Sequence, residues 1–273
     1  MNLELLKRLL AVPTSSLHEE QMVSFLVEHI NRLGVAQCGQ IAVDAHNNVY
    51  VVKGNARFLP CVAAHIDTVF GWTEVEIVQR DKNLVGFDRL GRQIGIGADD
   101  KAGVCVCLEL LERFENIAVA FFANEETGCV GAYHAKPEFF EQVGYVLEYD
   151  APARGLVSYT VDGVRLFQND GDFIQTAMPA LQKHGLTHWQ RHPYTDVKAL
   201  RQRFGLSCLN LSAGYHNWHR PDEFVDLEDV DAAIIAGTEL IQVLGCRCYP
   251  FPVGARDTVS PFFEVTGLNV ITN

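Results

Sequence analysis

Two periods of hydrophobicity alternate along the chain, and their succession predicts helices laid against a sheet. Residues 2–11 (NLELLKRLLA) carry leucines at helical spacing and stop near Pro13. Ser16 with Glu19 has the form of a capping box for a second helix to about residue 33, ended by Gly34. IAVDAHNNVYVVKG reads as a hairpin around an Asn-rich turn. FLPCVAAHID reads as a buried strand whose polar residues arrive only at its carboxyl end. Residues 74–96 read as two extended segments about a Gly-containing turn. From Lys101 to Phe114 the pattern turns helical, with Val104, Cys107, Leu108 and Leu111 at i, i+3, i+4 and i+7. NIAVAFFANEE and GYVLEYD are further strands that turn acidic where they end. A helix is predicted near 171–184, and SYTVDGVRLFQ and TDVKALRQRFGLSCLNLSAG read as the rest of the sheet. The last helix spans Leu227 to Leu244, with Asp226 as cap and Gly245 as stop. The tail 246–273, rich in Pro and Phe, receives no assignment. Helices and strands alternating in this way predict an α/β fold with a mixed, largely parallel central sheet.

The strand ends carry the functional signal. Three apolar strands each run into His or carboxylate residues, and open α/β sheets bind ligands at the carboxyl ends of their strands. Composition narrows the partners. Lys and Arg total 22 against 34 Asp and Glu, a net charge of −12, which argues against a nucleic-acid partner. No run of about 18 apolar residues occurs, so no membrane partner is expected. The start MNLELLKRLLAVPTSS is amphipathic rather than leader-like, so the expected location is cytoplasmic. The eight cysteines mostly lie in apolar runs without a CxxC spacing, and are read as reduced and buried.

Five segments hold the candidate chemistry: His65-Ile66-Asp67-Thr68, Gly97-Ala98-Asp99-Asp100-Lys101-Ala102-Gly103, Asn124-Glu125-Glu126-Thr127-Gly128, Glu148-Tyr149-Asp150, and Gly214 through Glu223. The donors are imidazole and carboxylate without cysteine, which selects borderline or hard divalent ions: Zn²⁺, Co²⁺ or Mn²⁺. In His65-x-Asp67, strand alternation puts both side chains on one face, so the carboxylate can accept the second imidazole N–H. Adjacent carboxylates at Glu125-Glu126 point apart. One can ligate a cation while its neighbour reaches a water acidified to a pKa of about 7 and moves its proton to a leaving amine.

HIDT, GADDKAG, NEETG and the late His219-x-x-x-Glu223 resemble the co-catalytic dinuclear zinc exopeptidase superfamily, in the superfamily's order from His65 to Glu223. GADDKAG and NEETG are most similar to the peptidase T branch. HRPDEFV, and Thr195-Asp196 before an apolar stretch, are similar to the aminopeptidase branch. The resemblance implies a single three-layer α/β/α catalytic metallopeptidase domain over 1–273. It implies two divalent metal ions, with Zn first and Co or Mn open. His65 and Asp150 would hold one ion, Glu126 and His219 the other, and Asp99 would bridge them. Glu125 would be the general base and Asp67 would orient His65. The Asp99–Asp100 peptide would be cis. The stretch from Asp150 to His219 is too short for the lid or dimerisation domain of the peptidase T branch, so no inserted domain is expected.

Taken singly, each motif has a plainer explanation, such as helix capping for Asp99-Asp100 or a solvated loop for Glu125-Glu126; their joint order favours the site. His216 competes with His219 for the last ligand position, and the spacing to Glu223 favours His219. Asp196, His192 and Tyr215 are candidates for the substrate pocket, with Tyr215 either an oxyanion donor or a packed ring. The expected activity is metal-dependent hydrolysis of peptide bonds by an exopeptidase of aminopeptidase type. Dipeptidase, carboxypeptidase and N-acyl amino-acid deacylase stay open with the same ligand set, as does a non-catalytic peptide-binding relative. A peptide or N-acyl amino acid is the expected partner. Lidless relatives self-associate to restrict access, which leaves a homo-oligomer open.

Overall fold

The computed structural model describes residues 1–35, 39–192 and 194–251. Helices α1 (Leu3–Leu10) and α2 (Glu20–Arg32) open the chain, followed by the hairpin β1 (Gly39–Val43) and β2 (Val49–Lys53). Then come β3 (Leu59–His65), β4 (Glu76–Arg80), β5 (Asn83–Phe87), β6 (Gln93–Ile94), α3 (Ala98–Arg113) and β7 (Ile117–Phe122). Short helices α4 (Val130–Tyr133) and α5 (Pro137–Phe140) lead into β8 (Val143–Ala151), β9 (Leu156–Val161) and β10 (Val164–Arg165). The remainder is α6 (Asp172–Lys183), β11 (His188–His192), α7 (Asp196–Phe204), β12 (Cys208–Ser212), β13 (Tyr215–His216), β14 (Phe224–Asp226) and α8 (Leu227–Leu244).

The main sheet runs β1-β2-β7-β3-β8-β12-β9-β10, with β11 also on β9. Its centre is parallel: β3 pairs in that sense with both β7 and β8, and β12 with β8. Every residue of β3, β7 and β8 is buried. That is why these strands read as continuous apolar runs instead of alternating ones, because helices cover both faces. α3 crosses β3, β7 and β8, with α1 and α8 against it and α6 on α8, while α7 packs on β8 and β12 and against α4. The result is the expected three-layer α/β architecture. The stretch between Asp150 and His219 folds entirely into these layers, and no lid is inserted there among the described residues.

Several local expectations are corrected. Segment 74–96 forms extended pairs as expected, and they lie in a separate five-stranded sheet, β13-β14-β5-β4 with β6 on β5. Alternation fixes a strand's faces, not the sheet it joins. Residues 196–204, read as sheet, form α7, which starts after Thr195 and ends at left-handed Gly205. The Ser16–Glu19 capping box does not form. α2 is preceded by Glu19 without a side-chain cap, and the Ser16 hydroxyl instead donates to Asp67 at 2.7 Å. Five cysteines are buried as expected, but Cys246 and Cys248 are exposed, and Cys38 lies outside the described residues. Of the unassigned tail, 246–251 returns to the sheet, where Tyr249 N–H donates to Gly144 at 2.8 Å; 252–273 lies outside the described residues. No described helix is long and apolar enough to cross a membrane.

One buried amine, its pKa lowered to about 7 by burial, ties the amino-terminal helix to α3. Lys101, fully buried on α3, donates to the carbonyls of Leu10 (3.2 Å), Val12 (2.7 Å) and Ile96 (3.4 Å), and its Nζ lies 4.4 Å from the Trp72 ring centre. Lys101→Met keeps the stem but leaves these carbonyls without their donor. The expected loss is about 1–3 kcal/mol, read as a melting temperature lower by roughly 3–10 °C. An unchanged melting temperature would show that the tie is not needed.

Candidate active site

Register assembles the site. In the parallel pair β3–β7, His65 lies opposite Phe122, and in β3–β8, Ala63 lies opposite Glu148. Asp150, two residues beyond Glu148, therefore reaches the level of His65, while Asn124-Glu125-Glu126 emerges just past Phe122. The fourth contribution comes from the start of α3. Left-handed Gly97 precedes it, the Asp99–Asp100 peptide is cis, and Gly103 lets α3 approach β8. A Cβ at Gly103 would meet the Tyr149 carbonyl oxygen at 2.0 Å, so only glycine fits. The two aspartates divide the work. Asp100 accepts from the backbone N–H groups of Gly103 (3.0 Å) and His65 (3.3 Å), leaving Asp99 to face the strand ends.

His65 Nδ1 lies 3.0 Å from the backbone carbonyl of Asp67, which can only accept, so this nitrogen carries the proton. Nε2 is thereby the nitrogen turned toward Asp99 Oδ1 (3.1 Å) and Asp150 Oδ1 (3.5 Å), where it can hold a second proton or a cation. His219 Nε2 faces Glu126 Oε1 (2.8 Å) and Asp99 Oδ2 (3.3 Å). Ligand atoms of His65, Asp99 and Asp150 lie within 4.8 Å of one another, as do those of Asp99, Glu126 and His219. Asp99 belongs to both sets, one carboxylate oxygen turned to each imidazole. The structure thus gathers His65, Asp99, Glu126, Asp150 and His219 around one point. His216 goes elsewhere, bonded to Asp229 at 2.9 Å and stacked on Phe224.

Charge decides what such a cluster needs. Burial opposes charge on His65, but the carboxylates of Asp150, Asp67 and Asp99 around it outweigh burial and raise the imidazole well above its ordinary value. Hydrogen bonds to Asp99 and Glu126 lift His219 to about 10. Asp99 is buried, yet its hydrogen bonds with the two imidazoles hold it low. Burial drives Glu125 and Glu126 up. Each imidazole nitrogen therefore sits between carboxylate oxygens that demand a positive charge, which a proton or a cation can supply. Neutral His Nε2 and carboxylate oxygen are the donors that Zn²⁺, Co²⁺ and Mn²⁺ accept, so the residues fit a divalent cation.

The supports around these groups are specific. The Asp67 carboxylate, expected to orient His65, stands 3.6 Å from Nδ1; its closer partners are the backbone N–H groups of Glu125 (2.9 Å) and Glu126 (3.3 Å) and the Ser16 hydroxyl. Tyr215 is buried and donates to Asp150 Oδ1 at 3.3 Å, so its ring is packed and its hydroxyl is turned to a carboxylate. Asn210 on β12, which sequence reasoning missed, accepts from Asp150 N–H (2.9 Å) and donates to its carbonyl (3.0 Å). A lone Asn inside the apolar run Cys208–Ser212 was the available signal. Asp196 is buried behind the cluster beside Glu148, which accepts from the Thr195 hydroxyl at 2.6 Å. Burial raises both carboxyls, aided by the Asp150 charge at Glu148 and the Glu148 charge at Asp196; Glu148 reaches about 8. His192 is half-buried and hydrogen-bonds to the Tyr194 carbonyl at 2.6 Å, and among the described residues no hydrogen bond ties it to the cluster. The open side is marked by His219, with 37% of its side chain exposed, and by Trp218, 48% exposed.

Glu223, which enters the sequence pattern only by its spacing from His219, is fully buried. Its Oε2 accepts from the N–H groups of Ile96 and Gly97 at 2.7 Å each, and Oε1 accepts from Asp99 N–H at 3.3 Å. The loop that presents His219 thus also grips the loop that presents Asp99.

An α/β sheet whose strand ends converge on an imidazole–carboxylate cluster is the architecture of a metal-dependent hydrolase. The profile of Peptidase family M20/M25/M40 matches residues 61–243, more than half of the chain, and the protein belongs to that family. A search of curated proteins by sequence finds no match. Among solved structures, the chain is similar to aminopeptidase PepT from Bacillus cereus ATCC 10987, at 14% identity and a TM-score of 0.73, over 88% of this chain and 97% of that one. It is similar to a tripeptidase from Staphylococcus aureus subsp. aureus mu50, at 13% identity and a TM-score of 0.73, over 89% and 97%. The Pyrococcus horikoshii TET1 peptidase aligns at 16% identity and a TM-score of 0.63, over 88% and 98%. At these identities the likeness is one of fold.

Glu223→Ala leaves three buried N–H groups without their acceptor. The expected cost is about 2–4 kcal/mol, or a melting temperature lower by roughly 5–15 °C, together with weaker retention of Zn²⁺ on dialysis. Wild-type melting and metal content would show that Asp99 keeps its place without this grip.

Proposed function

We propose that this peptidase is an exopeptidase of aminopeptidase type that uses two divalent cations, with Glu125 as general base. The observation that carries the reading is the pair of ligand sets sharing Asp99, next to a buried carboxylate, Glu125, that neither set uses. His65 and Asp150 would hold one ion, Glu126 and His219 the other, with Asp99 between them. Divalent cations bound there supply Lewis acidity toward the scissile carbonyl and acidify the attacking water.

The chain's own groups do the rest. Glu125 is 3% exposed, and burial raises its carboxyl, so it can hold a proton taken from water and release it to the leaving amine. Its backbone N–H is pinned to Asp67, which limits where the carboxylate can point. Tyr215 and Asn210 fix Asp150 from two sides, so this ligand does not have to be ordered when the cation arrives. Five carboxylates, those of Asp67, Asp99, Glu125, Glu126 and Asp150, outnumber the charge of two divalent ions. Such a field draws the free ammonium end of a peptide, and the likeness in fold to an aminopeptidase and a tripeptidase supports the same reading.

Dialysis against a chelator, followed by Zn²⁺, Co²⁺ or Mn²⁺, is expected to abolish and restore release of amino-terminal residues from short peptides and aminoacyl-nitroanilides. N-acetyl amino acids are expected to stay intact. Failure to release anything with any metal would overturn the enzymatic reading. Glu125→Gln is expected to keep its metal while losing about 10²–10⁴-fold in kcat, and His65→Ala to lose metal. Full turnover by Glu125→Gln would remove its role as base.

A further inference from the structure

We propose that Ser16 is a positioning residue, whose hydroxyl holds the Asp67 carboxylate in the orientation that fixes the Glu125-Glu126 turn. The inference deepens the proposed function and rests on it for its catalytic consequence, though not for its geometry.

Asp67 is fully buried and acts as a junction. Oδ1 accepts from Glu125 N–H at 2.9 Å, and Oδ2 accepts from Ser16 Oγ at 2.7 Å and Glu126 N–H at 3.3 Å. Two of these three donors belong to the backbone of the turn that carries the base and a ligand. The third, and the shortest contact, is the one side-chain hydroxyl, supplied from a segment some fifty residues earlier in the chain. Rotation of the carboxylate would trade one turn amide against the other, so the hydroxyl selects the rotamer that serves both.

The segment carrying Ser16 is anchored independently of its hydroxyl. Thr14 Oγ1 donates to the Ile66 carbonyl (2.8 Å), and the Thr14 carbonyl accepts from Thr68 N–H (2.9 Å). Ser16 N–H donates to the Thr68 carbonyl at 3.3 Å, and Lys101 holds the Val12 carbonyl. Leu17 is in the left-handed region, φ 69°, which a branched side chain adopts only when held there. Its N–H is shared between Glu19 Oε1 (2.8 Å) and Asn124 Oδ1 (3.0 Å), so the same segment touches the Asn124-Glu125-Glu126 turn a second time. With these anchors in place, loss of the Ser16 hydroxyl frees the carboxylate without releasing the segment. This distinguishes the role from the helix cap that the sequence suggests.

The test uses the full chain with Ser16→Ala and Ser16→Thr. In metal-free protein, amide exchange followed by NMR is expected to speed up at Glu125 and Glu126 by at least about tenfold in Ser16→Ala, with the core amides of β3 and β7 unchanged. In the metal-loaded enzyme, kcat is expected to fall about 10–100-fold with KM nearly constant, as for other groups that orient a metal site from behind. Ser16→Thr, which restores a hydroxyl, is expected to recover most of both. Unchanged exchange at Glu125 and Glu126, exchange raised evenly across the sheet, or a Ser16→Ala chain that does not fold would each overturn the proposal. If the wild-type chain cleaves no peptide, the proposed function fails, and the exchange measurement still decides the positioning role.

Discussion

The structure depends on keeping a dense set of carboxylates together inside a low-dielectric pocket. Asp67, Asp99, Asp150, Glu125 and Glu126 converge where three parallel strands end, and four of the five are buried. Leaving such charges uncompensated is more costly than any single packing contact can repair. The chain meets this constraint in two ways. Carboxylates with supporting roles, Asp67, Asp100 and Glu223, are satisfied by backbone N–H groups. Those turned inward, Asp99, Asp150 and Glu126, are set against imidazole nitrogens, leaving the remaining positive charge to be brought from outside.

This division accounts for the rigidity around the pocket. The support contacts join segments that are remote in sequence: the amino-terminal segment to the strand end after β3, that strand end to the turn after β7, and the loop before α8 to the loop before α3. Asp99, Asp150 and Glu126 are each held by at least one element other than their own. The stretch between Asp150 and His219, long enough only to complete the sheet and its helices, contributes Asn210 and Tyr215, which brace Asp150 from β12 and β13. The pocket is built by the sheet layer itself, and its open side is left to His219 and Trp218.

Much of this was legible along the chain, and the exceptions have physical causes. The apolar runs ending in HID, NEE and EYD were readable because a parallel sheet's centre must be apolar on both faces and can be polar only where the strands stop. The final helix matched its expected bounds because Asp226 and Gly245 are local signals, and Asp226 does accept from the N–H groups of Glu228 and Asp229. Ser16 was misread for the opposite reason. A Ser three residues before a Glu carries the same local signal whether its hydroxyl caps a helix or reaches a carboxylate fifty positions away. Glu223 and Asn210 were invisible as supports because their partners are backbone groups, which leave no mark in the sequence. Residues 196–204 were read as sheet because their apolar positions are few and stand beside strand-like neighbours.

The donor types, their order and the strand ends that carry them were readable along the chain, because side-chain chemistry and the extent of an apolar run are local properties. The same local reading showed that the donors suit divalent cations. The folded arrangement was needed to settle which oxygen faces which nitrogen, that His65 turns Nδ1 to the Asp67 carbonyl and Nε2 to Asp99 and Asp150, and that Asp67 serves the Glu125-Glu126 turn more closely than it serves His65. These follow from register between strands and from loop paths across the sheet. Both are fixed by packing between parts of the chain that no local pattern connects.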